Sequence, residues 1–246
     1  MQALAGERLL TAWDQCLHES DLGRPLTLLA IASPERTREN LASLSLAELN
    51  LELWRLRQIT FGEQLRATLP CPSCSAQVEF TLALPEVVKP LEGLLLSAGG
   101  VEKQWEGWRI AVKPVASNDV EIALRATNTG RAKQILLERC ISLTTSSGTF
   151  ARWDEAPLEV REFAMVLIEE VHDAAEFTCV TICPQCGAEE VNDLDIGRLL
   201  WFEVRSAAKH LLREVHELAS AYGWGESVIL AMSAQRRQVY LSMVRA

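Results

Sequence analysis

Two Cys-Pro-x-Cys turns, Cys71-Pro72-Ser73-Cys74 and Cys183-Pro184-Gln185-Cys186, carry the strongest chemical signal in the chain. A Cys-x-x-Cys turn sets two thiolates on one side of a tight loop, and two such turns fill the four tetrahedral positions of zinc at a Zn–S distance of about 2.3 Å. Proline at the second position fixes φ in each turn. Gly187, just past the second pair, is free to take a positive φ, and Ser75 stands in the matching place of the first. Four thiolates leave no position for water, so the expected metal is one structural zinc, bound by Cys71, Cys74, Cys183 and Cys186, with no catalysis at it. Because 108 residues separate Cys74 from Cys183, the metal would be a long-range clip rather than a local finger.

Redox chemistry is the competing reading, since Cys-Pro-x-Cys also occurs where a thiolate is stabilised at a helix N-terminus. Here an alternating strand pattern, Val78, Phe80 and Leu82, follows the first pair, and the motif occurs twice. Two unrelated reduced pairs are the third reading. Of the remaining cysteines, Cys179 is a candidate alternative ligand or a small buried thiol, and Cys16 and Cys140 sit on helical patterns. His210 and His216 are six apart, which does not bring them onto one helix face, and His216-Glu217 opens no metalloprotease motif. Neither a phosphate loop, a nucleophile elbow nor a dinucleotide fingerprint is present, so no enzymatic activity is expected.

The elements that must position the cysteines follow from periodicity. Leu9, Leu10, Trp13 and Leu17 predict a first helix, with Pro25 and Pro34 as breaks. Ser45 with Glu48 reads as a capping box opening a helix on Leu49, Leu53, Leu56 and Ile59 that ends at Gly62. The first knuckle lies between the extended run 63–69 and the alternating strand, which Pro85 and Pro90 close. Ser97, Gly99 and Gly100 read as a loop, Trp108 to Val112 as a strand, and Asn118 and Asp119 as caps for helices running to about Leu143. After Pro157 a helix carries Phe163, Leu167 and Val171, and a strand from Glu176 to Ile182 delivers the second knuckle. Ile196, Leu200, Val204, Ala207, Leu211, Val215, Leu218 and Tyr222 form one long helical stripe stopped by Gly223, with two shorter helices beyond it.

Placing Cys71 on Cys183, an offset of 112, sets Leu56 on Ile168, Ile59 on Val171, Leu65 on Phe177 and Ala67 on Cys179. Both regions read helix, strand, knuckle, extended segment. The expected fold is therefore α+β and predominantly helical, a single domain over 1–246 in which two half-units, 45–84 and 157–194, meet at one four-cysteine zinc site. Residues 85–156 are an insertion, and 195–246 a C-terminal helical region.

Composition bounds the function. The 246 residues are 48% hydrophobic and 23% charged, ordinary for a globular protein, and no apolar run approaches the roughly 20 residues that cross a bilayer. The net charge of −9 repels phosphate backbones. Seven cysteines, an odd number, argue against a disulfide framework, and Glu7 and Arg8 interrupt the start of the chain where a signal peptide would be apolar. A cytoplasmic protein that binds neither nucleic acid nor membrane is expected.

Three segments carry a resemblance: LWRLRQITFGEQLRATLPCPSCSAQVEFTL, CPQCGAEEVNDLD, and LLREVHELASAYGWGESVILAMSAQRRQVYLSMV, with LERC at 137–140 between them. Together they resemble the phage baseplate hub assembly chaperones of the T-even type and their relatives in contractile injection systems. The resemblance implies a non-enzymatic assembly chaperone or scaffold whose partners are baseplate hub or spike proteins, with a homo-oligomer also open. Tyr222, Trp224, Arg236 and Arg237 are the candidate partner-binding residues, and Trp105, Trp108 and Trp153 are further aromatics that could locate a partner surface. The alternative function is a zinc-ribbon nucleic-acid-binding or regulatory protein.

Overall fold

The computed structural model describes residues 1–97, 99–172 and 177–245. The chain opens with α1 (Glu7–Cys16), α2 (Gly23–Ala32), α3 (Arg38–Ala42) and α4 (Leu46–Phe61). The hairpin β1 (Gln64–Pro70) and β2 (Gln77–Ala83) follows, then α5 (Leu84–Ser97), β3 (Val101–Trp105) and β4 (Trp108–Val112). Next come α6 (Ser117–Leu124), α7 (Thr129–Cys140), β5 (Ile141–Thr145), β6 (Phe150–Ala151) and α8 (Leu158–His172). A second hairpin, β7 (Thr178–Ile182) and β8 (Glu189–Asp193), leads into α9 (Ile196–Tyr222), α10 (Glu226–Leu230) and α11 (Ala234–Val244). The class is α+β and mostly helical, with one four-stranded and two two-stranded sheets among the described residues.

Several boundaries follow from local chemistry. The Ser45 amide donates to Glu48 Oε2 at 2.8 Å and the Glu48 amide donates to Ser45 Oγ at 3.2 Å, the reciprocal capping box expected at the start of α4. Gly62 closes that helix at φ 92° and donates to the Gln58 carbonyl at 2.9 Å. Asp195 caps α9 by accepting from the Arg198 amide at 3.0 Å, and Gly223 ends it in the left-handed region at φ 69°.

The strand β2 ends at Ala83, just before Pro85, as expected, but Pro25, Pro85 and Pro90 lie within helices rather than breaking them. Pro25 lies in the first turn of α2, and Pro85 in the first turn of α5, where the missing N–H has no intrahelical partner to lose. Pro90 is tolerated inside α5, and Ser97 ends that helix rather than lying in a loop. The helical run expected up to Leu143 stops at Cys140. Ile141 and Leu143 instead bury one face of β5, whose alternation Ile-Ser-Leu-Thr-Thr suits a strand. Glu176, the expected start of the strand before the second knuckle, lies outside the described residues.

The chain divides into two compact units. The first comprises Met1–Arg38, Leu56–Gly62 and Asp195–Ala246. In it α9 packs against α1, α2, α10 and α11. The buried stripe of α9 is Ile196, Leu200, Val204, Ala208, Leu211, Val215 and Leu218, with Ala208 in place of Ala207 and with Tyr222 exposed. Buried Arg57 reaches Glu203 at 2.8 and 3.0 Å and donates to the Gly62 carbonyl at 2.7 Å.

The second unit comprises Glu39–Arg55 and Glu63–Leu194. Its four-stranded antiparallel sheet, β3-β4-β5-β6, packs Ile110, Val112, Ile141 and Leu143 against Val160, Ala164, Leu167 and Val171 of α8. Glu106 and Gly107, both at positive φ, make the tight turn between β3 and β4.

Asp119 organises the loop before α6. Fully buried, its carboxylate receives the Ala116 amide at 3.2 Å, Arg139 Nε at 2.6 Å and Lys113 Nζ at 3.2 Å. Burial alone would raise its pKa, but the amide and the two cations outweigh burial and hold the carboxyl below its usual range. A depressed folded pKa means stability that is complete above the unfolded value and lost as pH falls through the folded one, below about pH 5. Asp119→Asn should therefore cost about 3 kcal/mol at neutral pH and flatten the acid limb of a denaturation-versus-pH curve.

Candidate metal centre

The two hairpins present the cysteines in the same way. Cys71 donates its amide to the Ala76 carbonyl at 2.8 Å, and its own carbonyl accepts from Ser75 at 2.8 Å. In the second turn Cys183 bonds Ala188 at 2.9 Å and accepts from Gly187 at 2.9 Å. Both turns need a left-handed residue at the fifth position. Gly187 supplies it at φ 73°, and Ser75 adopts it at φ 61° despite its Cβ. Ser75→Gly should accordingly stabilise this unit by up to about 1 kcal/mol, read as a rise in denaturation midpoint with metal content unchanged.

The strand registers also match at the 112 offset. Pro70 pairs with Gln77 and Thr68 with Glu79, while Ile182 pairs with Glu189 and Val180 with Val191. Helices α4 and α8 start at Leu46 and Leu158, and α5 and α9 at Leu84 and Ile196, the same offset again. Burial does not repeat with it. Ile59 is 48% exposed, whereas Val171, on which it superposes, is 8% exposed.

From these turns the four sulfurs converge so that all lie within 4.8 Å of one another. Cys71 Sγ is 3.7 Å from Cys186 Sγ, and Cys74 Sγ is 3.6 Å from Cys183 Sγ, both contacts crossing between the hairpins. These separations exceed a disulfide bond of about 2 Å. They match the edge of about 3.8 Å of a sulfur tetrahedron centred about 2.3 Å from each corner. Cys71 and Cys183 are buried in a small apolar collar of Val78, Ala76 and Ala188, and Cys74 and Cys186 are exposed. Amides of Cys186 and Gln185 bond the Cys183 sulfur and lower its pKa to about 6. The Ala76 amide lowers that of Cys74, but hydrogen bonds from neighbouring sulfurs outweigh it and raise the thiol to about 12. The four cysteines could hold a metal ion.

Cys179 is half-buried on β7 and outside the cluster, its pKa raised by burial. Cys16 and Cys140 are buried, and burial pushes their thiols up to about 12 and about 11. His210 and His216 are exposed on α9.

The candidate partner-binding residues lie together in the first unit. Trp224 is half-buried, stacked on Tyr222 at 4.5 Å and meeting Tyr240 edge-on at 4.9 Å, and the exposed Arg236 lies 5.7 Å over the Tyr240 ring. Arg237 is 7% exposed, bonds Glu214 at 2.9 Å and donates to the Met232 carbonyl at 2.7 Å. Its position one residue from an exposed arginine gave no sign of that burial. Trp105, Trp108 and Trp153 are half-buried against the core of the second unit, Trp105 stacked on Phe163 at 5.3 Å. A cleft of about 670 Å³ opens beside Trp105, Trp108, Thr145 and Phe150. No helix among the described residues is long and apolar enough to cross a membrane. No protein-family model, no curated protein and no solved structure matches this chain.

Proposed function

We propose that the protein is a non-enzymatic assembly chaperone or scaffold, cytoplasmic, whose fold is closed by one structural zinc ion. Its proposed partners are hub or spike components of a phage-like contractile tail or injection machine. The observation that carries the zinc is the spacing of the sulfurs, 3.6 and 3.7 Å between cysteines 109 and 115 positions apart in the chain. An all-sulfur donor set favours zinc among the abundant divalent ions and excludes calcium and magnesium, which take oxygen ligands. Such a shell holds the metal as a clip between two related half-units. The resemblance of residues 53–82, 183–195 and 211–244 to baseplate hub chaperones supports the choice of partner.

Native mass spectrometry of the purified chain is expected to show one zinc per polypeptide, not two. Co-expression with hub and spike proteins should yield a complex on affinity purification. Metal-free protein of full stability would overturn the clip, and no complex with any such component would overturn the partner.

A further inference from the structure

The matched registers of the two hairpins allow their outer faces to be compared residue by residue. On the first hairpin the exposed face carries Arg66, Thr68, Pro70, Gln77, Glu79 and Thr81, an ordinary solvated surface. On the second, the equivalent exposed positions are Thr178, Val180, Ile182, Glu189, Val191 and Asp193. Three β-branched apolar side chains, 58%, 66% and 62% exposed at Val180, Ile182 and Val191, stand where the first hairpin has Thr68, Pro70 and Glu79. Val180 and Val191 are cross-strand partners and Ile182 is the next outward residue along β7, so the three form one strip. The metal cluster needs nothing from this face, because the sulfurs project from the turn and the first hairpin performs the same task with a polar one. An apolar strip that its structural twin does without marks a contact surface.

The charges around the strip define its occupant. Glu189 and Asp193 are exposed on the same face of β8 as Val191, and between His172 and Arg198 the sequence contains no lysine or arginine. Two copies of the chain meeting through this face would oppose two acidic rims, which disfavours self-association there. We infer, on the reading of the chain as a partner-binding scaffold, that the outer face of β7–β8 docks a segment of another protein in which aliphatic side chains alternate with lysine or arginine. The aliphatic residues cover Val180, Ile182 and Val191, and the cations lie along the carboxylates of β8.

The test uses the full zinc-loaded chain and a fluorescein-labelled peptide of alternating valine and lysine, followed by anisotropy. The comparison protein carries Val180→Thr and Val191→Glu, the residues that the first hairpin has at those places. Expected is saturable binding by the wild type, weakened on the order of tenfold in the double variant. Peptides with serine for valine or glutamate for lysine should bind more weakly to the wild type, and added salt should weaken the parent complex. Equal binding by wild type and double variant, or no binding by either, overturns the inference. So does a wild-type dimer in sedimentation that the double variant dissociates, since the occupant is then a second copy. Zinc content is measured in the same samples. A chain with one zinc and no peptide binding refutes the surface alone, and one that binds peptide without zinc refutes the clip alone.

Discussion

Cys71→Ser is expected to lower zinc content from one per chain to near zero after dialysis against a mild chelator, and Cys183→Ser should do so equally. Each removes one buried sulfur that faces a sulfur of the opposite hairpin at 3.6 or 3.7 Å. Three thiolates and a hydroxyl bind zinc far more weakly than four thiolates, and at a structural site metal binding energy is folding energy, on the order of 10 kcal/mol. That exceeds or equals the net stability of most domains, so the second unit should lose its cooperative thermal transition. Cys179→Ser is the control and should retain one zinc, because its sulfur is outside the cluster. Atomic absorption on the three variants, with calorimetry on the same samples, checks the whole set. Retention of zinc by Cys71→Ser would sink the four-sulfur assignment.

The second large effect is expected at Arg237. Its guanidinium and the Glu214 carboxylate are 9% and 7% exposed, and Glu214 also receives Gln238 Nε2 at 2.6 Å and faces His210 Nδ1 at 3.2 Å. Removing one member of such a pair leaves the other buried with its charge uncompensated, which costs about 3–5 kcal/mol. Arg237→Ala should therefore loosen α11 from α9, exposing the core of Val215, Leu218, Ile229 and Leu241. Replacing both partners by apolar residues of similar volume, Arg237→Met with Glu214→Leu, should recover most of the loss. Urea denaturation of the two variants distinguishes the outcomes. If the single and double substitutions are equally damaging, the pair is not the source of the effect.

What the sequence revealed depended on whether the cause was local. The knuckles were legible because a Cys-Pro-x-Cys turn is a complete chemical unit, and the α9 stripe because its period runs unbroken for 27 residues. The capping box at Ser45 and Glu48 and the stop at Gly62 were legible for the same reason. Proline misleads when its helical position is unknown: Pro25 suggested a break, yet a first-turn position tolerates it, whereas Pro85 does mark the end of β2 at Ala83. The strands β3 and β5 escaped notice because each is five residues long and owes its existence to pairing with β4, which no single segment displays. Arg237 could not be placed from sequence, since the carboxylate that holds it lies 23 positions away on another helix.

The CPxC turns also impose an order of events. Each hairpin is closed by its own short turn, so two thiolates can meet a metal ion before the rest of the second unit has formed. Completing the shell then requires the ends of a chain segment of 108 residues to come together, a search whose entropy grows only with the logarithm of its length but whose rate is set by non-local encounter. Ion capture should thus proceed in two kinetic phases, a fast uptake at one hairpin and a slow closure that depends on both. Mixing zinc with denatured chain during refolding would separate them, and Cys183→Ser would abolish the slow phase while sparing the fast one. During synthesis the first hairpin emerges while the second is still unmade. For that interval any captured ion would be held by Cys71 and Cys74 alone.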